Sequence, residues 1–409
     1  YFYFALVPSL ALWHKKLDKK LVFTPRVKRF FVILALAVIA SYAVYLATQH
    51  RVNLGVVLPL VLSFAISFLL EKAKFKAYEN SARKKLASML ELKIIMITAS
   101  FGKTSIKNFL FELLKNDFVC RKTPRSVNTL AGLIQDVNNE LAAGTQIYIA
   151  EAGARLKGDI AQITEFLSPH IAIVGEIGAQ HIEYFKTLEN IRATKLEALG
   201  SKRLEKAFVH SSTQANEGEK IEIYDKDLSG VEASLDGVKF RLGEMEFHSP
   251  LLGKFNAANL AVCVKTALYL GIDEARIAAA LARLKNVEHR LERIDAGGKI
   301  IIDDGFNGNF NGMSASYELV ASYEGRKVLV TPGIMESSDE ENEKLSKIIN
   351  KTFDIVMLTS SLNAVALLKH LSRPKVIVIK DKSKMQEALA QNTKAGDLIL
   401  FSNDAPSFM

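Results

Sequence analysis

In the stretch "ITASFGKTSIKNFLFELL", residues 97–114, Gly102, Lys103 and Thr104 stand in a row between a β-branched run and a helix-like pattern. A loop joining a strand to a helix N-terminus gathers free backbone N–H groups at the positive end of a dipole, which suits phosphate. Ser100, Phe101, Gly102 and Ser105 would shape such a loop. The Lys103 ammonium would reach terminal phosphates and the Thr104 hydroxyl would hold Mg2+. Ala99 stands where these loops usually carry a first glycine, and its methyl group fits if the residue keeps a negative φ. Three residues further on share the expected edge. Glu151 closes the run "QIYIAE", His181 follows "IAIVGEIGAQ", and Lys195 lies in "NIRATKLEAL". A carboxylate and an imidazole converging on a phosphate loop can ligate magnesium, which prefers oxygen but tolerates a mixed shell. Each also has an ordinary reading alone: Glu151 as a helix cap, His181 as a loop residue, Lys195 as part of a solvated helix face.

The elements that must position these groups follow from the texture after Leu92. Short β-branched runs alternate with amphipathic helical patterns, which predicts an α/β fold with a central, mainly parallel sheet. Its expected strands include residues 94–98, 146–150 and 171–174. Past Arg290 the runs "GKIIIDDGF", "RKVLVTPG", "FDIVMLTS", "PKVIVIK" and "DLILF" predict a second, Rossmann-like sheet. The paired glycines of "IDAGGK", residues 294–299, suit an interdomain hinge. The expected division is a membrane-spanning and basic segment over 1–92, an ATP-binding domain over 93–294 and a Rossmann-like domain over 295–409. The acids at 339–341 read as a solvated helix start.

The front of the chain differs. Residues 30–49 and 52–70 carry no charge, and each run is long enough to cross a hydrocarbon layer of ~30 Å as a helix. Pro59 is tolerated in such a helix. Lysines and arginines flank the pair on both sides, so both ends are expected at the cytoplasmic face of the inner (cytoplasmic) membrane. This predicts a transmembrane helical hairpin, with the catalytic domains in the cytoplasm. The second run follows at once, which argues against a cleaved signal peptide. The net charge is +9, yet residues 1–92 alone carry +10 and the remainder −1. The basicity is therefore confined to the membrane flanks, and no nucleic-acid partner is expected. Cys120 and Cys263 lack metal-ligand spacing and fit a reducing compartment.

The order of motifs resembles that of the Mur ligase family, ATP-dependent amide-forming enzymes of peptidoglycan synthesis. "TASFGKTS" resembles its phosphate loop, and "EAGA" its E-M-G-A block. "AQHIEYFKTLENIRATKLEAL", "GKFNAANLAVCVKTAL", "EHRLERI" and "IIIDDGFNGN" resemble four later blocks in the same order. The resemblance runs from about residue 94 to near the C-terminus. It implies that Lys103 holds the β/γ-phosphates of ATP and that Thr104 and Glu151 bind a first Mg2+. His181 and a carbamylated Lys195 would serve a second ion. Asn256 and Asn259 would border adenine. Arg290, Asp304 and Asn309 would reach the nucleotide from the domain junction. Asn128, in "TPRSVNTLAG", would meet a UDP-sugar substrate.

"EAGA" and "DDGFNGN" lean toward the branch that joins D-alanyl-D-alanine to a UDP-N-acetylmuramoyl-tripeptide through an acyl phosphate. Relatives of that kind open with a uridine-binding domain, where this chain carries apolar runs and a basic stem. Another membrane-associated relative, of poly-γ-glutamate or folylpolyglutamate type, is the alternative within the class. A membrane-anchored nucleotidase is the alternative outside it, although neither an LSGGQ signature nor an N-K-x-D guanine reader is present.

Overall fold

A computed structural model describes residues 22–48, 51, 55, 57–125, 127–179, 182–305, 308, 310–334, 339–359, 367–379 and 381–403. The chain divides into two compact units, residues 1–85 and 86–409.

In the first unit, helix α1 (Pro25–Ala47) begins at a proline, whose missing N–H costs nothing in a first turn. The Thr24 side chain caps it by accepting from the Val27 amide at 3.4 Å. Its large apolar side chains, Leu36 and Ile39 among them, face outward at 61% and 64% exposure. Among the described residues it is the one helix long and apolar enough to cross a membrane. Helix α2 (Val57–Ser88) begins apolar but takes on charge from Glu71. Its described apolar portion is thus shorter than the ~20 residues a span needs. Arg29 grips Glu71 with both Nε and Nη2, at 2.8 and 2.6 Å.

The second unit is built on two parallel-strand sheets. Strand β1 (Lys93–Thr98) is an apolar run buried from Ile94 onward, as a strand covered on both faces must be. Helix α3 (Lys103–Leu114) follows it. Next come β2 (Cys120–Lys122), α4 (Leu130–Asn139), β3 (Ile147–Glu151), α5 (Asp159–Leu167) and β4 (Ile171–Val174). Helices α6 (Ile182–Phe185) and α7 (Leu188–Leu196) lead to β5 (Lys206–Val209) and β6 (Ile221–Ile223). The sheet order is β2-β3-β1-β4-β5-β6, with all pairs parallel. The chain moves to one side of β1 for β2 and β3, then to the other for β4. The end of β1 is therefore a switch point, where a crevice opens beyond the carboxyl ends of the strands. The register pairs Ile97 with Glu151, which sets that carboxylate beside the loop after β1.

A three-stranded antiparallel sheet, β7 (Leu228–Ser234), β8 (Gly237–Leu242) and β9 (Met245–Ser249), interrupts the α/β alternation. Its Val238, Phe240 and Phe247 join the core of the first sheet, together with helices α8 (Asn256–Tyr269) and α9 (Glu274–Leu281).

The second parallel-strand sheet contains β10 (Glu292–Ala296), β11 (Lys299–Asp304), β12 (Lys327–Thr331), β13 (Ile355–Leu358), β14 (Lys375–Val378) and β15 (Leu398–Ser402). Its order is β10-β11-β15-β12-β13-β14, parallel except for β10. Helices α10 (Phe310–Ala321) and α11 (Asp339–Thr352) contribute Met313, Tyr317, Leu345 and Ile349 to the core on one face. Helix α12 (Met385–Asn392) contributes Met385 and Leu389 to the other. Two expectations change. Gly297 and Gly298, at φ +60° and +71°, make the two-residue turn of the β10–β11 hairpin and are not a hinge. Strand β10 also straddles the expected boundary at 294/295 and pairs wholly within the second sheet. The link between the sheets instead carries His289 and Leu291 in left-handed conformations, at φ +60° and +51°.

Candidate active site

The loop after β1 is fastened from below. The Ser100 amide donates to the Glu176 carbonyl at 2.8 Å, and its hydroxyl donates to the Gly178 carbonyl at 3.0 Å. The edge of the Phe101 ring lies against Gly178, where an added Cβ would come within 2.3 Å of it. Ala99 is fully buried and keeps a negative φ, and its methyl faces the space that Gly175 leaves open. The missing first glycine is thus accommodated by a glycine on the neighbouring strand end. Gly102 has φ +77° and caps α3. With Lys103 it directs the first turn of that helix at the crevice, and Ser105 lies buried behind. The Lys103 ammonium donates to the Ala99 and Ser100 carbonyls at 2.7 and 3.1 Å, folded over its own loop. Desolvation in the crevice pulls it down to about 8, with Glu151 opposing and Arg290 adding to the effect.

Glu151, 1% exposed, is the hub of the site. Its Oε2 accepts from the Thr104 hydroxyl at 3.0 Å and from the Lys107 ammonium at 3.0 Å. Its Oε1 accepts from Asn128 Nδ2 at 3.2 Å. Asn128 is itself held by the Gly153 amide, which donates to its carbonyl at 2.7 Å; a Cβ at Gly153 would meet the Asn128 side chain. A hydroxyl and a carboxylate side by side at a phosphate loop are the hard oxygen donors that Mg2+ takes, with phosphate and water completing its shell. Among the described residues no group of three or more His, Cys, Asp or Glu side chains gathers to hold a metal ion. A site completed by phosphate oxygens needs no such group.

Lys195 is 4% exposed near the end of α7, not on a solvated face. Burial pulls its amine down to about 7; nearby Lys103 adds to this, and Asp159, Glu151 and Glu197 oppose it. That value leaves much of the amine neutral, the form that can react with carbon dioxide to give a carbamate.

From the other wall, Asn259 Nδ2 donates to Asn256 Oδ1 at 3.1 Å. Asn256 Nδ2 donates to the Leu252 carbonyl at 2.7 Å. From the second sheet, Asp304 is 2% exposed, with the Leu291 amide at 3.3 Å and the Ser316 hydroxyl on its other oxygen. One cleft of 710 Å³ is lined by the phosphate loop, Asn128, Glu151, Lys195, Asn256, Asn259, Arg290 and Asp304. Every expected site residue that is described therefore meets in a single space between the two parallel-strand sheets. His181 and Asn309 lie outside the described residues. Lys107 was missed in the sequence. Its position one helical turn beyond Lys103, on the same face of α3, was the available signal.

The chain is similar to known proteins over most of its length. Residues 97–267 match the family described as Mur ligase middle domain, and residues 289–403 match Mur ligase, glutamate ligase domain. The UDP-N-acetylmuramoyl-tripeptide–D-alanyl-D-alanine ligase of Bacillus subtilis is 28% identical over 334 residues, covering 76% of this chain and 73% of that one. Its namesake from Borreliella burgdorferi is 25% identical, covering 77% and 67%. Among solved structures, MurF ligase of Thermotoga maritima in complex with ADP superposes with TM-score 0.67 at 26% identity, covering 81% and 80%. A folylpolyglutamate synthase from the same organism, at TM-score 0.57 and 17% identity over 83% of this chain and 95% of that one, shares the fold. The chain belongs to the Mur ligase family of ATP-dependent, amide-bond-forming enzymes.

Proposed function

We propose that this chain joins D-alanyl-D-alanine to a UDP-N-acetylmuramoyl-tripeptide in peptidoglycan precursor synthesis. The observation that carries the reading is the shared cleft. It brings Lys103, Thr104, Glu151 and Lys195 from the first sheet against Arg290 and Asp304 at the second. The curated relatives that span most of the chain carry this activity in their names.

The chemistry needs an activated carboxyl, because a carboxylate is a poor acyl donor. The peptide carboxylate attacks the γ-phosphorus of ATP, ADP leaves, and an acyl phosphate forms. The amine of D-alanyl-D-alanine then attacks the acyl carbon, phosphate departs and the amine proton is lost. Lys103 would swing from its loop carbonyls to the β/γ-phosphates and offset the charge gathering there. Thr104 and Glu151 would hold one Mg2+; His181 and carbamylated Lys195 would hold a second. Bound Mg2+ supplies charge neutralisation at the transferring phosphoryl group. Asn128 would meet the UDP-sugar substrate that carries the activated carboxyl, Asn256 and Asn259 would flank the adenine, and Arg290, Asp304 and Asn309 would close on the nucleotide from the second sheet. Holding amine and acyl phosphate within attack distance is a proximity task that suits a cleft between two domains.

The division at 1–92, 93–294 and 295–409 is proposed with one change, the C-terminal domain beginning at Glu292. We also propose that α1 and the apolar run at 52–70 form a membrane hairpin, with the ligase at the cytoplasmic face of the inner membrane. The apolar exterior of α1 and the concentration of positive charge in residues 1–92 support this. Phosphate release is measured with purified protein, Mg-ATP and UDP-muramyl peptides, with and without D-alanyl-D-alanine. Release that requires both building blocks is expected; release indifferent to either overturns the assignment.

A further inference from the structure

Lys107 has no role in the reaction described above, yet it is the most deeply buried cation at the site. Its side chain and that of Glu151 are each 1% exposed, and the ammonium sits 3.0 Å from Glu151 Oε2. The same ammonium donates to the Arg125 carbonyl. Arg125 adopts a left-handed conformation, φ +44°, which is strained for a residue with a side chain. Three residues on, Asn128 returns to the other oxygen of the same carboxylate. One lysine thus clamps together the carboxylate and the start of the segment that ends at Asn128. A buried ion pair is weak evidence for stability, because apolar replacements of similar volume are often neutral or stabilising. A cation set against an oxygen suited to a divalent ion also opposes that ion directly.

We propose that Lys107 is a positioning residue that serves as the resident counter-ion of Glu151. A divalent cation entering beside Thr104 displaces it from Oε2, and that displacement loosens its hold on Arg125. Metal occupancy and the placement of Arg125 and Asn128 are then two ends of one equilibrium, and each must bias the other. The proposal rests on Glu151 being a metal ligand.

The test uses Mn2+ alone, with free ion followed by electron paramagnetic resonance on the full chain. Wild type, Lys107→Gln, Lys107→Arg and Glu151→Gln are compared, each with its thermal transition recorded. Removing a unit positive charge beside the carboxylate is expected to tighten Mn2+ binding roughly tenfold in Lys107→Gln, and Lys107→Arg is expected to stay near wild type. Trypsin cleavage after the exposed Arg125 gives a second readout. Saturating Mn2+ is expected to speed it at least about threefold in wild type, whereas Lys107→Gln is cleaved rapidly with or without metal. A folded Lys107→Gln with wild-type Mn2+ affinity overturns the proposal. So does wild-type cleavage indifferent to Mn2+, which holds even if the variant fails to fold. Glu151→Gln separates the two levels: if it binds Mn2+ as wild type does, the metal assignment itself falls. If it loses Mn2+ while Lys107→Gln is unchanged, only the counter-ion role falls.

Discussion

Asn259 Oδ1 occupies the space in which a side chain at Gly102 would begin, 2.5 Å from an ideal Cβ there. The glycine that caps α3 is thereby fixed twice, by its φ of +77° and by an asparagine from α8. Gly102→Ala is expected to cost about 1–3 kcal/mol of stability from the strained backbone alone. It should also weaken ATP binding as the loop shifts. Adding Asn259→Ala relieves the contact and not the φ, so the double variant should recover only part of the loss. Thermal denaturation of both variants and ATP titration of Gly102→Ala, each beside wild type, check this.

Lys103→Ala is expected to lower ATP-dependent phosphate release on the order of a thousandfold, the scale of losing one preorganised charge at a transferring group. The fold should persist, as read by an unchanged cooperative melt. Normal turnover would remove the phosphate loop from the mechanism.

Lys195→Ala is expected to lose roughly a hundredfold or more in turnover, and short carboxylic acids should restore part of it by standing in for a carbamate. With its amine at about 7 in the folded chain, against 10.5 for the free side chain, activity should climb as pH rises through about 7 and should respond to added bicarbonate. The linkage has a definite sign. Between those two values the unfolded chain binds more protons at this lysine, so its contribution to stability grows with pH across that window. A flat profile in Lys195→Ala, set against a rising one in wild type, is the expected result.

His289 and Asp303 make the reverse case. Their contact, 2.6 Å from Nδ1 to Oδ2, raises the imidazole above its ordinary 6.5. The folded chain then holds the proton more tightly than the unfolded one. The stabilisation is fully present below about 6.5 and is lost as pH rises through the elevated value. His289 lies on the link between the two parallel-strand sheets, so His289→Gln should flatten the pH dependence of unfolding above 6.5. Denaturant titrations across pH, with wild type alongside, measure it.

Removal of residues 1–92 is expected to leave a soluble protein of net charge −1 that retains phosphate release. Partitioning between membrane and soluble fractions reads the outcome. Persistence of the truncated chain in the membrane fraction contradicts the hairpin.

What the sequence alone determined is whatever rests on neighbouring residues. The phosphate loop was legible because its signal is contiguous from Thr98 to Ser105: a strand, a bend that needs a positive φ, then helix-starting residues whose free N–H groups face one way. Fully buried parallel strands were legible for a similar reason, since apolarity on both faces leaves an unbroken run. The antiparallel strands β7–β9 escaped because β7 buries almost nothing and β8 alternates, so neither presents such a run. Gly297 and Gly298 read equally as hinge or hairpin, because φ freedom is needed in both; only the pairing of Ala296 with Lys299 distinguishes them.

The tertiary structure alone decided how distant groups share charge. Glu151 meets Thr104 because parallel pairing of β1 with β3 aligns their carboxyl ends. It meets Lys107 because that lysine lies one turn along the helix leaving β1. The Lys195 amine is drawn down to about 7 by burial, and burial belongs to packing and not to residue type. Charge in a low-dielectric crevice depends on what surrounds it in three dimensions, which no local stretch of chain encodes by itself.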